Sequence, residues 1–140
     1  MKYLLDTNII SELRKKTPDI RVMEWFSNIH PSQLYLSCLT IGEIKIGVLK
    51  IAKKDKATSL GLMKWLDSLI IDYAEKIIGV NLEICEEWAE LMSIDSTNAI
   101  DSLIAAQAKQ RNIILVTRNI KHYSMFDIRI FNPFDTHGSV

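Results

Sequence analysis

The chain has 140 residues and a formal net charge of zero, with 17 basic and 17 acidic side chains. Its length predicts one domain, which can bury roughly 70% of the surface that the unfolded chain exposes. Zero net charge excludes a bulk electrostatic attraction to nucleic acid, so any such binding must come from local patches. No apolar run approaches the roughly 20 residues of a membrane span, and the early Asp6 argues against a signal peptide. We therefore expect a cytoplasmic protein without a membrane segment.

Short β-type runs alternate with helical patterns along the chain. Alternation of this kind predicts a parallel sheet covered on both faces by helices. We expect an α/β protein with three layers, α/β/α, around a mostly parallel sheet of about five strands. Residues 1–134 would form the single domain, with a frayed tail at 135–140. The predicted strands are 3–5, 34–39, 77–80, 113–117 and 128–131, and the predicted helices are 8–16, 19–29, 40–54, 56–71, 82–92 and 97–110.

Three acidic residues, Asp6, Glu43 and Asp101, each stand where an apolar run gives way to a helical pattern. In an α/β sheet such junctions collect at one edge, outside the carboxyl ends of the strands, where ligands bind. Carboxylates gathered there repel one another unless a cation lies between them. Mg²⁺ and Mn²⁺ prefer oxygen ligands and keep several waters, so two or three carboxylates suffice. The pattern predicts a divalent-metal site.

Each carboxylate taken alone also has an ordinary structural explanation. Asp6 can cap the helix that follows it. Glu43 stands three residues after Thr40, which is the spacing of a capping box. Asp101 lies near a helix start, where negative charge is favoured. Capping does not require the three residues to converge, whereas a metal site does.

Five segments resemble a known family. Residues 4–13 (LLDTNIISEL), 37–47 (SCLTIGEIKIG), 101–106 (DSLIAA) and 115–119 (LVTRN) are similar to the successive motifs of PIN-domain proteins of the VapC/FitB type. Residues 130–134 (IFNPF) resemble the usual ending of these proteins. The resemblance runs nearly end to end in the right order, and its first and third motifs are the specific ones.

This resemblance implies a PIN-like fold and a metal-dependent endoribonuclease, the toxin of a type II toxin–antitoxin pair. It implies that Asp6 and Asp101 hold Mg²⁺, or Mn²⁺, and that Glu43 completes the acidic pocket. Cleavage by a metal-bound water would leave a 5′-phosphate and a 3′-hydroxyl. The implied partners are an RNA substrate, a cognate antitoxin that blocks the site, and a second copy of the chain in a homodimer.

One position departs from the family pattern. Many PIN domains carry a fourth acid within or just beyond residues 117–119, where this chain has Asn119 and then His122. Asn119 brings no charge, which favours one tightly held ion over two. His122 is either a surface histidine or an aid to proton transfer.

The residues beside the acids are expected to support the site, although each also has a simpler explanation. Asn8 and Thr117 have short polar groups suited to holding a carboxylate or a metal-bound water, and equally suited to turns and caps. Arg118 can contact phosphate or lie free on the surface. Glu12 is expected either to support the site or to be exposed.

Charge is unevenly distributed along the chain. Residues 44–66 contain six lysines and one acid, whereas residues 77–108 contain six acids and no Lys or Arg. Either these are solvated helix faces, or a basic rim lies beside an acidic cleft. Cys38 and Cys85 lack metal-type spacing and are expected to be buried, reduced thiols.

Large apolar side chains are concentrated in residues 22–29 and 60–71. We expect them to form part of a groove that the antitoxin covers, with Trp25, Phe26 and Trp65 as candidates. The alternative function is a non-catalytic PIN-like module that binds RNA or protein. A neutral Asn119 favours that alternative, but retention of the other three acids argues against it, since a binding surface gains nothing from clustered buried charge.

Overall fold

The computed structural model describes residues 1–94 and 98–135. Within them, five strands form one sheet in the order β3-β2-β1-β4-β5, and every pair of neighbours is parallel. The predicted α/β architecture is confirmed. The strands are β1 (Tyr3–Leu5), β2 (Leu34–Ser37), β3 (Ile77–Ile78), β4 (Ile114–Val116) and β5 (Ile130–Phe131).

Helices cover both faces of this sheet and bury a core on each side. Leu5 and Val116 belong to one core with residues of α1–α4, whereas Leu4 and Leu115 belong to the other core with residues of α5–α7. Successive strand residues point to opposite faces, which is why a strand covered on both sides is apolar throughout. The helices are α1 (Thr7–Arg14), α2 (Ile20–Ser27), α3 (Cys38–Ala52), α4 (Lys56–Asp72), α5 (Leu82–Ile94), α6 (Ala99–Arg111) and α7 (Ile120–Tyr123).

The strand order creates a topological switch point between β1 and β4. The chain leaves β1 for β2 and β3 on one side, then returns through α5 and α6 to β4 and β5 on the other. Ligands bind in the crevice outside such a point, at the carboxyl ends of the strands. Asp6 and Thr117 are the first residues after the two strands that flank it, and the Asp6 backbone N–H donates to the Val116 carbonyl at 2.9 Å.

The start of α3 differs from the sequence-based prediction. Ser37 caps the helix, because its hydroxyl accepts a hydrogen bond from the Leu39 N–H at 3.0 Å. The helix therefore begins at Cys38, and the proposed capping box between Thr40 and Glu43 is wrong. A side-chain acceptor is needed only where the first helical N–H groups lack partners, and Thr40 already lies inside the helix.

Several smaller predictions have definite outcomes. Asn98 caps α6, and the predicted start of that helix at residue 97 lies outside the described residues, as does the tail from 136 to 140. Cys38 and Cys85 are free but half-buried rather than buried. Across residues 1–94 and 98–135, no helix combines the length and apolar character that crossing a bilayer requires.

Candidate active site

Asp6 lies at the carboxyl end of β1 and is only 6% exposed. Its Oδ1 accepts from the Thr7 N–H at 2.8 Å, so the residue does cap α1. Its Oδ2 accepts from the hydroxyl of Thr117 at 2.8 Å, from the amide of Asn8 at 3.2 Å and from the hydroxyl of Tyr123 at 3.3 Å. One carboxylate therefore starts a helix with one oxygen and anchors a buried polar network with the other.

Burial raises the pKa of the Asp6 carboxyl above its ordinary value of 3.8, and the nearby charge of Asp101 raises the pKa further. Hydrogen bonds from Thr117, Thr7 and Tyr123 lower the pKa but do not cancel the increase. Within the described residues, no Lys or Arg forms an ion pair with Asp6. A buried carboxylate without a basic partner is costly when ionised, and a cation would relieve that cost.

Asp101 stands in the first turn of α6, where Asn98 Oδ1 accepts hydrogen bonds from the N–H groups of Ile100 and Asp101 at 3.0 and 3.1 Å. The Tyr123 hydroxyl lies 3.2 Å from Asp101 Oδ1, so one phenol contacts the carboxylates of both Asp6 and Asp101. The other oxygen, Oδ2, lies 3.3 Å from His122 Nδ1. His122 is 58% exposed, yet it contacts the site rather than standing apart from it.

Glu43 reaches the same edge from α3. Its Oε1 accepts from the Thr7 hydroxyl at 2.8 Å, while the Thr7 N–H is bound to Asp6. The structure thus links the three predicted acids through two shared residues, Thr7 and Tyr123. They are not a tight trio: across the described part of the chain, no three His, Cys, Asp or Glu side chains are grouped closely enough to hold a metal ion by themselves.

Asn8 and Thr117 connect the ends of β1 and β4. The Asn8 amide nitrogen donates to both Asp6 and Thr117, at 3.2 Å each, and its oxygen accepts from the Arg118 N–H at 3.0 Å. The Thr117 hydroxyl also accepts from the Asn119 N–H at 3.0 Å. Both side chains therefore hold the Asp6 carboxylate and the loop after β4 in one arrangement.

Arg118 and Asn119 lie at the rim. Arg118 is exposed, with its guanidinium 4.5 Å from the centre of the Phe134 ring. Asn119 is exposed at the start of α7 and makes no side-chain capping bond there. Its backbone, rather than its amide group, connects it to the network around Asp6.

Glu12 fits neither of its predicted roles. It is 7% exposed, and its carboxylate accepts from the Asp19 N–H at 2.9 Å and from Lys15 Nζ at 2.9 Å. The hydrogen bond from Lys15, followed by that from Asp19, lowers the pKa of Glu12. Its function is to join the end of α1 to the start of α2.

Tyr123 and Thr7 were not predicted from the sequence. Tyr123 is 1% exposed and ends a helix of four residues, which is too short to produce a recognisable apolar period. Thr7 was hidden by its position, since a hydroxyl after an aspartate is typical of an ordinary helix start. The adjacency of Thr7 to Asp6 was the only available signal.

Residues 3–125 match the family described as PIN domain. The chain belongs to the PIN-domain family. Toxin FitB of Neisseria gonorrhoeae is 30% identical over 136 residues, which cover 94% of this chain and 97% of that protein. The VapC ribonuclease Y4jK of Sinorhizobium fredii is 28% identical over 137 residues, covering 94% and 97%. The resemblance to PIN-domain proteins of the VapC/FitB type is confirmed.

Solved structures agree with the fold of this PIN domain. FitAcB from Neisseria gonorrhoeae superposes with a TM-score of 0.86 at 30% identity, covering 94% of this chain and 98% of that one. VapBC2 from Rickettsia felis, bound to a promoter DNA fragment, gives a TM-score of 0.73 at 25% identity, covering 94% and 98%. The expected PIN-like three-layer arrangement is therefore present.

Proposed function

We propose that this PIN domain is the ribonuclease toxin of a type II toxin–antitoxin pair and hydrolyses RNA phosphodiester bonds with the help of a divalent metal ion. Relatives named as VapC ribonucleases and as the toxin FitB match nearly the full chain, which supports the ribonuclease and toxin assignments. The observation that supports the metal chemistry is that two carboxylates, Asp6 and Asp101, both contact the buried hydroxyl of Tyr123 at the switch point of the sheet.

The donor set fits Mg²⁺ or Mn²⁺. Asp6 and Asp101 offer carboxylate oxygens, and Glu43 adds a third, exposed carboxylate at the same edge. Mg²⁺ is commonly held by one or two carboxylates, with waters and substrate phosphates completing its shell, so the lack of a tight protein trio suits this ion. A bound ion supplies activation of a water and stabilisation of negative charge on the phosphate.

The surrounding residues prepare the site for that chemistry. Thr117, Asn8 and Thr7 hold the Asp6 carboxylate in place, and Thr7 holds Glu43 as well. Because Asn119 adds no charge, we propose one protein-bound ion rather than two. The neutral amide of Asn119 would also leave a substrate phosphate free to approach the ion.

RNA can approach along a cavity of about 300 Å³ beside Asp101, which the cation Lys121, the imidazole of His122 and the apolar side chains of Met125 and Phe126 also line. Arg118 is also exposed, in the segment between β4 and α7. A chain with zero net charge needs such local cations to contact phosphate. The RNA sequence that is cut depends on features beyond these contacts.

Cleavage of a mixed RNA pool in Mg²⁺ tests the proposed activity. We expect Asp6→Asn to lower the cleavage rate by at least a hundredfold, because it removes a charged metal ligand, and a chelator to do the same to the unaltered chain. Asp127→Asn is the matched control, since Asp127 is an exposed aspartate away from the two carboxylates, and it should leave the rate unchanged. Sequencing of the product 5′-phosphate ends would then identify the target.

The same cleavage assay distinguishes the nuclease from the alternative, a non-catalytic binding module. A non-catalytic module would bind RNA equally with Asp6 or Asn at position 6 and would cut with neither, and that result would replace the nuclease proposal. The buried, raised-pKa carboxylate of Asp6 favours catalysis, because a binding surface has no use for a charge that is costly to bury.

An antitoxin is the second proposed partner. A groove of about 240 Å³ lies among α1, α3 and α4 and passes beside Glu43 and Thr7. Its apolar wall includes Leu62 and the half-buried Trp65, whereas Trp25 and Phe26 are half-buried but do not line it. A peptide in this groove would bring a basic side chain within reach of the acids. The homodimer remains a prediction.

A further inference from the structure

Tyr123 joins the core of the protein to the candidate site. The ring is packed in the core on the α5–α7 side of the sheet, and the residue is 1% exposed. Its hydroxyl nevertheless ends between two carboxylates, 3.3 Å from Asp6 Oδ2 and 3.2 Å from Asp101 Oδ1. No other side chain in the described residues is shown to contact both aspartates.

The hydroxyl is a hydrogen-bond donor at this point, because a phenol is protonated at neutral pH and ionised carboxylates only accept. Its proton can be directed at either of the two carboxylate oxygens. A phenylalanine ring would fill the same space and offer no hydrogen bond.

The contacts around Asp6 leave one oxygen more available than the other. Thr117, Asn8 and Tyr123 all contact Oδ2, whereas the Thr7 N–H is the only donor described for Oδ1. The three donors thus fix the rotation of the carboxylate and leave a lone pair of Oδ1 for another ligand. Tyr123 alone extends this constraint to Asp101.

We propose that Tyr123 is a positioning residue for the metal centre, whose hydroxyl holds Asp6 and Asp101 in the orientation that receives the ion. The inference rests on the proposed metal-dependent function. Without the hydroxyl, the two carboxylates repel each other and turn apart, and binding must then restore their orientation at the expense of affinity. Groups that orient metal ligands typically contribute about 10–100-fold to metal affinity.

Mn²⁺ binding in the absence of RNA tests this role. Tyr123→Phe, measured by calorimetry or by the electron paramagnetic resonance of free Mn²⁺, should bind the ion about tenfold more weakly than the unaltered chain. Tyr73→Phe is the control: Tyr73 is a half-buried tyrosine on the opposite side of the sheet, and it has no described side-chain hydrogen bond to either aspartate. Its loss of a hydroxyl should not change the affinity. Thermal unfolding would verify that both variants are folded.

Cleavage at increasing Mn²⁺ gives a second measurement. The cleavage rate of Tyr123→Phe should recover to within about threefold of the rate of the unaltered chain once Mn²⁺ is saturating, because the metal ligands themselves remain. The cleavage rate of Asp6→Asn should not recover. Equal Mn²⁺ affinity for Tyr123→Phe and the unaltered chain would overturn the positioning role while leaving the nuclease intact. Mn²⁺ binding that is indifferent to Asp6→Asn would overturn the metal site itself, and the inference with it.

Discussion

Asp6 shows how one residue can satisfy two explanations that the sequence left as alternatives. Its Oδ1 caps α1, as an ordinary helix start would require, and its Oδ2 belongs to the buried network that includes Thr117 and Tyr123. The cap fixes the position of the carboxylate, and the network fixes its rotation. The proposed metal ligand is thereby made rigid by the same contacts that start the helix.

Burial of the Asp6 carboxylate should make the free energy of unfolding depend on pH. The folded-state pKa of Asp6 is raised above 3.8, so the folded chain holds the proton more tightly than the unfolded chain does. Stability from Asp6 is therefore full below about pH 3.8 and is lost as pH rises through the raised pKa. Asp6→Asn cannot ionise and does not show this loss.

We expect the free energy of unfolding of the unaltered chain, relative to Asp6→Asn, to decrease as pH rises from about 4 through the raised pKa of Asp6, and to level off above it. Urea denaturation of both proteins in chelator, at several pH values, measures the difference. Asp127→Asn should track the unaltered chain across the series. A difference that is constant or that grows with pH would mean that the Asp6 carboxylate is stabilised by its surroundings, contrary to its burial.

The acids of the site were predictable from the sequence, but not all of the residues that support them. Asp6 was recognisable because it follows a predicted strand and Thr117 because it ends one, and strand ends converge in a parallel sheet. Asn8 lies two residues beyond Asp6. Tyr123 is 117 residues from Asp6 in the sequence, and nothing local to Tyr123 indicates a carboxylate nearby. Contacts of this kind depend on the assembled layers, which periodicity does not specify.

At the scale of single elements, two neighbouring capping residues compete to set the end of β2 and the start of α3. Ser37 and Thr40 are both good capping residues, and the pattern of residues 34–39 favoured a longer strand. The strand ends at Ser37 because its hydroxyl reaches the Leu39 N–H, so α3 begins two residues earlier than predicted and Glu43 lies farther from the helix start. The position of Glu43 at the site therefore depends on Ser37.

Ser37→Ala should reduce the free energy of unfolding by about 1 kcal/mol, because the first turn of α3 loses the buried hydroxyl that caps it. Chemical denaturation provides the measurement. Ser68→Ala serves as the comparison, since Ser68 is exposed within α4 and bonds only to the Lys64 carbonyl, so its effect should stay within about 0.5 kcal/mol. Equal effects of the two changes would show that the cap does not determine the start of α3.

At the scale of the whole molecule, alternation of strands and helices predicted the layers, but not the order of the strands. The switch point between β1 and β4 arises because the chain crosses back over the sheet after β3. That crossing brings Thr117 beside Asp6, and it leaves α1, α3 and α4 together on the opposite face from α6. The groove beside Glu43 is a product of this arrangement, since three separate helices line it.

Two glycines in helices allow a steric test of whether the antitoxin binds in this groove. Gly47 lies in α3 and lines the groove, and a Cβ atom added there would meet nothing within 4 Å apart from its chain neighbours and the backbone of its own helix. Gly61 in α4 is equally open, but it does not line the groove. Leucine at either position should stabilise its helix by roughly 0.5–1 kcal/mol, because glycine is a poor helix former.

Gly47→Leu should therefore fill the groove without damaging the fold and should weaken binding of the cognate antitoxin by at least about tenfold, or roughly 1.4 kcal/mol. Gly61→Leu should bind the antitoxin as the unaltered chain does. Calorimetric titration of each purified variant with the antitoxin, in chelator to suppress RNA cleavage, measures the two affinities. If Gly47→Leu binds with undiminished affinity, the antitoxin lies on another face, and the acids must be blocked from a different direction. If Gly61→Leu weakens antitoxin binding instead, the antitoxin contacts the outer surface of α4. The apolar residues of 60–71 would then bind it there rather than through Trp65 in the groove.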